Sequence, residues 1–386
     1  MPVLANRQKL LGTETAFETL AKAKKLEAEG KNIIHLEIGE PDFDTPDNIK
    51  QAAKKAIDDG YTHYGPSAGQ MELRQTIANH QSSRQGYDIS PENVIVTPGA
   101  KPIMFYTVMA LINPGDEAIY PNPGFPIYES MINYAGGVAK PMRLNEETNF
   151  NVDIKELESL ISDRTRLIIV NSPNNPCGSV IPNDDLKRIS DVADAHDLIV
   201  LSDEIYKDMY YDRVEHCSIT KFGQTKTRTV ILDGFSKSYA MTGWRLGYGV
   251  FPDFMVDDVA KLVTNSVSCT SVFTQIAGIE ALEGSQDFVS NMMKEFTKRR
   301  EIVVDGLNSL KGIRCSIPKG AFYAFPNIEN TGMTSQQFAD KALYDGGVAL
   351  LSGTSFGEFG EGFIRISFAN SIENIQEGIK RISTIL

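Results

Sequence analysis

The sequence predicts an α/β protein in which a large domain with a mostly parallel sheet flanked by helices is joined to a smaller α+β domain formed by both termini. Three observations predict it. From about Pro91 to Val250, short β-branched runs alternate with amphipathic stretches, the pattern of strands linked by helical crossovers. The flanking segments lack that alternation. The chain has 386 residues, room for two domains at roughly 100–200 residues each.

In chain order, an N-terminal helix containing Leu20, Ala21 and Leu26 comes first. VIVTPG reads as a strand running into a helix that ends near Leu111, and DEAIYP as the next strand, followed by amphipathic FPIYESMINY. RLIIVNSP is a strand, DDLKRISDVADAH a helix, and LIVLSDEIY, TVILDGFSK and WRLGYGV are further strands. These apolar runs of four to eight residues, closed by Gly, Pro, Asn or Asp, have the length and punctuation of buried strands. From about Gly284 the pattern changes to a long helix, FVSNMMKEFTKRREIVVDGLNSL, with short strands in GAFYAF and FIRISF. The expected division is residues 41–283 for the large domain, with 1–40 and 284–386 composing the small one. No stretch is biased enough to be a linker, and no repeat period is present.

Composition excludes several classes. With 41% apolar and 23% charged residues, the chain buries a substantial core and is not intrinsically disordered. A formal charge of −12 repels phosphate backbones, so no nucleic-acid partner is expected. Cys177, Cys217, Cys269 and Cys315 lie far apart with no CxxC pair, which fits a reducing compartment and no metal site. No apolar run approaches the ~18 residues of a membrane span. A cytoplasmic protein without membrane contact is expected.

VIVTPGA, LIIVNSPNNP, LIVLSDEIY and TVILDGFSK each pass from an apolar strand into polar residues. In open α/β sheets the ligand crevice lies at the carboxyl ends of the strands, so these endings imply one shared site. Lys237 follows such a strand in GFSKSYAMTGWRLGYG. A lysine desolvated near other cations loses basicity and becomes a nucleophile for an aldehyde. Arg245 follows eight residues later, with a planar fork suited to a phosphate. Asp203 ends LIVLSDEIY, where a carboxylate either caps a turn or keeps a heterocyclic nitrogen protonated. Tyr206 and Asn175 offer a phenol and an amide at neighbouring strand ends. Gly99, Ala100 and Lys101 open a helix, and backbone N–H groups there attract an anion.

The segments IGEPDFDTP, HYGPSAG, SPNNPCG, SDEIY and SKSYAMTGWRLG, in this order, resemble the class I and II aminotransferases, the aspartate-aminotransferase-like group of fold type I enzymes that use pyridoxal 5′-phosphate. The resemblance covers essentially the whole chain. It implies a seven-stranded sheet, a homodimer with shared active sites, and transfer of an amino group from an L-amino acid to a 2-oxo acid by a ping-pong mechanism. It implies catalytic roles for Lys237, which binds the cofactor aldehyde and moves the Cα proton, for Asp203 beneath the pyridine nitrogen, and for Tyr206. Asn175 and Tyr206 are expected at the ring oxygen, and Phe125 stacked on the ring. The phosphate is expected on Arg245, Ser236 and the N–H groups of Gly99, Ala100 and Lys101, with Tyr64 reaching over from a second subunit. Arg365 is expected to grip the substrate α-carboxylate, with Gly39 and Asn175 beside it.

The chain departs from the family pattern at Gly234, three residues before the lysine, where a hydroxyl is common, and at Cys177, where threonine is common. Lys101 lies where aspartate-specific relatives use a lysine for the distal carboxylate, whereas Glu14 and Ala16 stand about where those relatives offer hydroxyls. The leading donor is therefore aspartate- or glutamate-like, with neutral, aromatic and basic amino acids open. A β-lyase or decarboxylase on the same scaffold is the alternative, and a non-catalytic binding protein ranks last.

Overall fold

A computed structural model describes residues 4–386. Its strands are β1 (Ile34–His35), β2 (Val94–Thr97), β3 (Glu117–Asn122), β4 (Val138–Arg143), β5 (Thr165–Asn171), β6 (Ile199–Asp203), β7 (Thr229–Gly234), β8 (Gly247–Val250), β9 (Tyr323–Ala324), β10 (Val348–Ala349), β11 (Leu351–Ser352) and β12 (Ile364–Ser367). Seven of them form one sheet in the order β2-β8-β7-β6-β5-β3-β4. Only β8 runs against the rest, pairing antiparallel with β2 and β7. Apart from the edge strand β4, which is largely half-buried or exposed, the strands of this sheet are buried on both faces, as the continuous apolar runs predict, because helices cover it on either side. Helix Asn183–Ala195 shows how: Leu186, Ile189, Val192 and Ala193 recur at helical spacing and are buried, while Asp184 and Asp185 occupy its first turn, favourable at the positive end of the helix dipole.

The remaining strands form two small sheets. β1 pairs parallel with β10, and β12 lies between β11 and β9 in antiparallel register. GAFYAF and FIRISF therefore contribute shorter strands than their apolar runs suggest. Helix Thr15–Ala28 buries Ala23 and Leu26, whereas Ala21 faces solvent. Helix Asp287–Asn308 spans the same region.

One buried apolar cluster joins the large sheet to these elements, running from Ile95, Leu201 and Leu232 through Tyr206 and Phe322 to Ile364 and Ile366. Phe322 stacks on Phe296 at 5.4 Å and meets Tyr206 edge-on at 5.7 Å, a geometry aromatic rings prefer. The end of β6 is thereby packed directly against the β9 region. No helix of the described residues is long and apolar enough to cross a membrane, and all four cysteines are unpaired.

Candidate active site

The carboxyl ends of β5, β6 and β7 open into a cavity of about 840 Å³. Register puts Asn171 of β5 directly beside Asp203 of β6, and the Asn171 amide donates to the Asp203 carbonyl at 3.1 Å. Of the residues singled out from the sequence, the cavity is lined by Gly39, Ala100, Lys101, Phe125, Asn175, Asp203, Tyr206, Ser236, Lys237, Arg245 and Arg365. Gly99 and Tyr64 are not among the lining residues.

Lys237 lies three residues past β7, on a turn pinned from beneath. Ser238 Oγ donates to Asp208 at 2.7 Å, and Asp208 and Asp233 flank the fully buried Lys207 ammonium at 3.2 and 3.0 Å. Thr45 Oγ1 holds the Ala240 carbonyl at 2.6 Å. A buried ion pair with its hydrogen bonds made fixes geometry even where it adds little net stability. Lys237 Nζ itself donates to the Gly39 carbonyl at 2.5 Å. Burial depresses this amine to about 8; Glu40 opposes the shift, and Arg365, Lys101 and Arg245 reinforce it. A large share of its population is neutral near pH 8, as a nucleophilic amine requires.

Asp203 is buried, and burial raises its pKa to about 6, against hydrogen bonds that favour the carboxylate. Those come from the Tyr128 hydroxyl at 2.5 Å and the Ile205 N–H at 3.2 Å. The group is thus ionised at neutral pH and protonates as pH falls through about 6. Tyr206 shares a hydrogen bond between hydroxyls with Tyr323 at 2.8 Å.

Arg365 is buried with no ion pair among the described residues. Nη1 donates to Asn175 Oδ1 at 3.1 Å and Nη2 donates to the Glu37 carbonyl. Its guanidinium lies 4.6 Å from the Tyr323 ring centre and 4.8 Å from that of Phe356, while Nε has no partner. A buried guanidinium satisfied only by neutral oxygens and ring faces is chemically suited to pair with a carboxylate.

At the far end, Ala100 and Lys101 present their N–H groups at the start of helix Lys101–Leu111. Here the sequence expectation needs correction, because the Gly99 N–H already donates to the Thr97 carbonyl at 2.8 Å. Gly99 contributes closeness instead: at φ +85 its missing Cβ leaves the space that the Arg245 guanidinium occupies. Arg245 donates to the Thr242 carbonyl at 2.6 Å and makes no ion pair among the described residues. At Gly234, a Cβ would stand 3.1 Å from Gly247 Cα, so a hydroxyl there would need the strands to part.

Against known proteins, the family model described as aminotransferase class I and II matches residues 31–382. The chain belongs to the class I and II aminotransferases. It is 42% identical to an aspartate aminotransferase of Pyrococcus horikoshii, over 99% of this chain and 97% of that protein. It is 38% identical to aromatic-amino-acid aminotransferase 2 of Thermococcus litoralis, over 92% of each. The solved aspartate aminotransferase from Thermus thermophilus with maleate superposes with a TM-score of 0.96 at 34% identity, over the whole of both chains.

Sequence reasoning missed two residues of this aminotransferase's cavity. Tyr128 holds Asp203, and its position three residues after Phe125, on one face of helix Ile127–Tyr134 and the turn before it, was a usable signal. Tyr323 joins Tyr206 to Arg365, and nothing local in GAFYAF marks it. Tyr64 is 91% exposed. Among the described residues, no group of three or more His, Cys, Asp or Glu side chains is placed to hold a metal ion.

Proposed function

We propose that this aminotransferase uses pyridoxal 5′-phosphate to exchange the amino group of an L-amino acid with a 2-oxo acid, aspartate- or glutamate-like substrates being the leading pair. The observation that carries it is one cavity holding an amine of lowered basicity, a buried acid and a buried arginine with no ion pair among the described residues. The residues fit the cofactor chemically: Ser236 and Arg245 with the Ala100 and Lys101 N–H groups form a cradle for a phosphate, Phe125 offers a ring face, and Asp203 offers a carboxylate to a ring nitrogen. When bound, the cofactor supplies an aldehyde and a protonated ring that withdraws electrons from the substrate Cα.

The chain's own groups do the rest. Arg365 and Asn175 orient the substrate α-carboxylate, Asp203 keeps the ring nitrogen charged, and Asn175 and Tyr206 hold the ring oxygen. Lys237 Nζ would take the Cα proton and deliver it beyond the amino nitrogen to the carbon of the cofactor's aldehyde, and in the free enzyme the Gly39 carbonyl holds this amine. The names of the aspartate-specific relatives support the dicarboxylate preference, with Lys101 as the distal cation. The exposed Tyr64 supports a homodimer in which it completes the neighbouring phosphate site. A large domain over residues 41–283, a small one over 1–40 and 284–386, and a cytoplasmic location complete the reading.

The test is a half-reaction screen: loss of the cofactor's absorbance with each L-amino acid in turn. Bleaching by at least one, with its 2-oxo acid recovered, supports the reading; ammonia and pyruvate released without an acceptor favour the lyase instead. Tyr128→Phe is expected to weaken cofactor binding about tenfold, the scale of a hydrogen bond to a charged group, as measured by absorbance titration.

A further inference from the structure

The cations that line the cavity account for themselves almost completely. Lys237 is the amine, Arg365 is buried beside Asn175, and Arg245 faces the helix start. Lys24 is paired with Glu27 at 2.8 Å. His35 lies between Glu27 at 3.0 Å and Glu37 at 2.8 Å. That leaves Lys101, whose ammonium stands 5.5 Å from the centre of the Phe125 ring. It too is taken: it forms an ion pair with Glu14.

Glu14 is unusual where it sits. It is the residue preceding helix Thr15–Ala28, yet its side chain makes no capping hydrogen bond to that helix. Instead the carboxylate turns inward, its side chain 19% exposed, to meet a lysine 87 positions away. Its neighbours Thr15, Ala16 and Phe17 also line the cavity. Among the described residues, the Lys101 ammonium is therefore already matched by a carboxylate before any substrate enters.

We propose that Glu14 is a built-in competitor for the distal carboxylate of the substrate, occupying Lys101 so that neutral side chains enter with the pair intact and dicarboxylates bind only by displacing it. This rests on the functional reading above and widens its substrate class from dicarboxylates to neutral amino acids as well. The pair's attraction must be given up before a dicarboxylate gains its own, so discrimination in favour of dicarboxylates is muted in the native chain. Removing Glu14 unmasks the lysine.

The test uses the holoenzyme with maleate as an unreactive dicarboxylate, its dissociation constant measured by calorimetry, alongside half-reaction kinetics with L-aspartate and L-alanine. Glu14→Ala is expected to tighten maleate about five-fold, the scale of a partly exposed ion pair, and to raise the aspartate-to-alanine ratio of kcat/KM by a similar factor. Lys101→Met is expected to weaken maleate, and the double variant to bind it no better than Lys101→Met alone. Unchanged or weaker maleate binding by Glu14→Ala overturns the proposal, as does a gain that survives in the double variant or an absence of maleate binding throughout. Should no amino acid react with the native enzyme, the transaminase reading fails, and the maleate arm still decides the role of Glu14.

Discussion

Lys237→Ala is expected to lower kcat/KM by about 10⁴-fold or more, because the proposed function gives one side chain both the covalent attachment and the proton transfer, and general acid–base catalysis alone contributes up to about that much. Borohydride treatment followed by peptide mass mapping checks the attachment: the native chain gains a cofactor adduct on Lys237 and the variant gains none. The fold is expected to survive, since the turn is held by Ser238, Asp208 and Thr45 and not by the lysine amine. The depressed pKa of about 8 adds a pH signature. Cofactor attachment to apoenzyme requires the neutral amine, so its rate should rise with pH, reach half its limit near pH 8 and level off above about pH 9. An amine at the ordinary lysine value would keep accelerating toward about 10.4. A continued rise past pH 9 in stopped-flow attachment kinetics contradicts the burial argument.

Arg365→Met is expected to separate activity from stability. Losing the buried fork proposed to hold the α-carboxylate should cost about 3–5 kcal/mol of binding, roughly 10²- to 4 × 10³-fold in kcat/KM. Arg365→Lys should recover little, since an ammonium cannot present two parallel donors. Yet the native guanidinium is buried without a counter-charge, and burial lowers its pKa. Replacing such a charge by a methionine of similar volume between Tyr323 and Phe356 is neutral or stabilising. Thermal unfolding of Arg365→Met should therefore show an unchanged or higher Tm while steady-state kinetics collapse. A large drop in Tm would mean the arginine is chiefly structural.

Much of this site could be read from sequence because each strand announces its own end. Apolar runs stopped by Asn, Asp, Ser or Lys located Asp203, Asn175 and Lys237 at the crevice, since alternation and punctuation are local properties. Long-range partners left no such mark. The Tyr128 hydroxyl meets a carboxylate 75 positions on, and Tyr206 meets Tyr323 across 117. The Glu14–Lys101 pair appeared in the sequence as two opposed clues about specificity, and only the fold shows them joined. Gly99 shows the opposite case: a helix start usually frees its first donors, but this N–H turns back two residues to the Thr97 carbonyl.

The carbonyls of Glu37 and Gly39 hold Arg365 and Lys237 across 328 and 198 positions. During synthesis the segment around residue 38 therefore leaves the ribosome long before either partner exists. At about 5–20 residues per second, the wait for Arg365 is roughly a quarter of a minute to a minute. Until then the nascent chain can shape the crevice floor but lacks the arginine proposed to hold the substrate, so on that reading competence for turnover arrives with the last strand made.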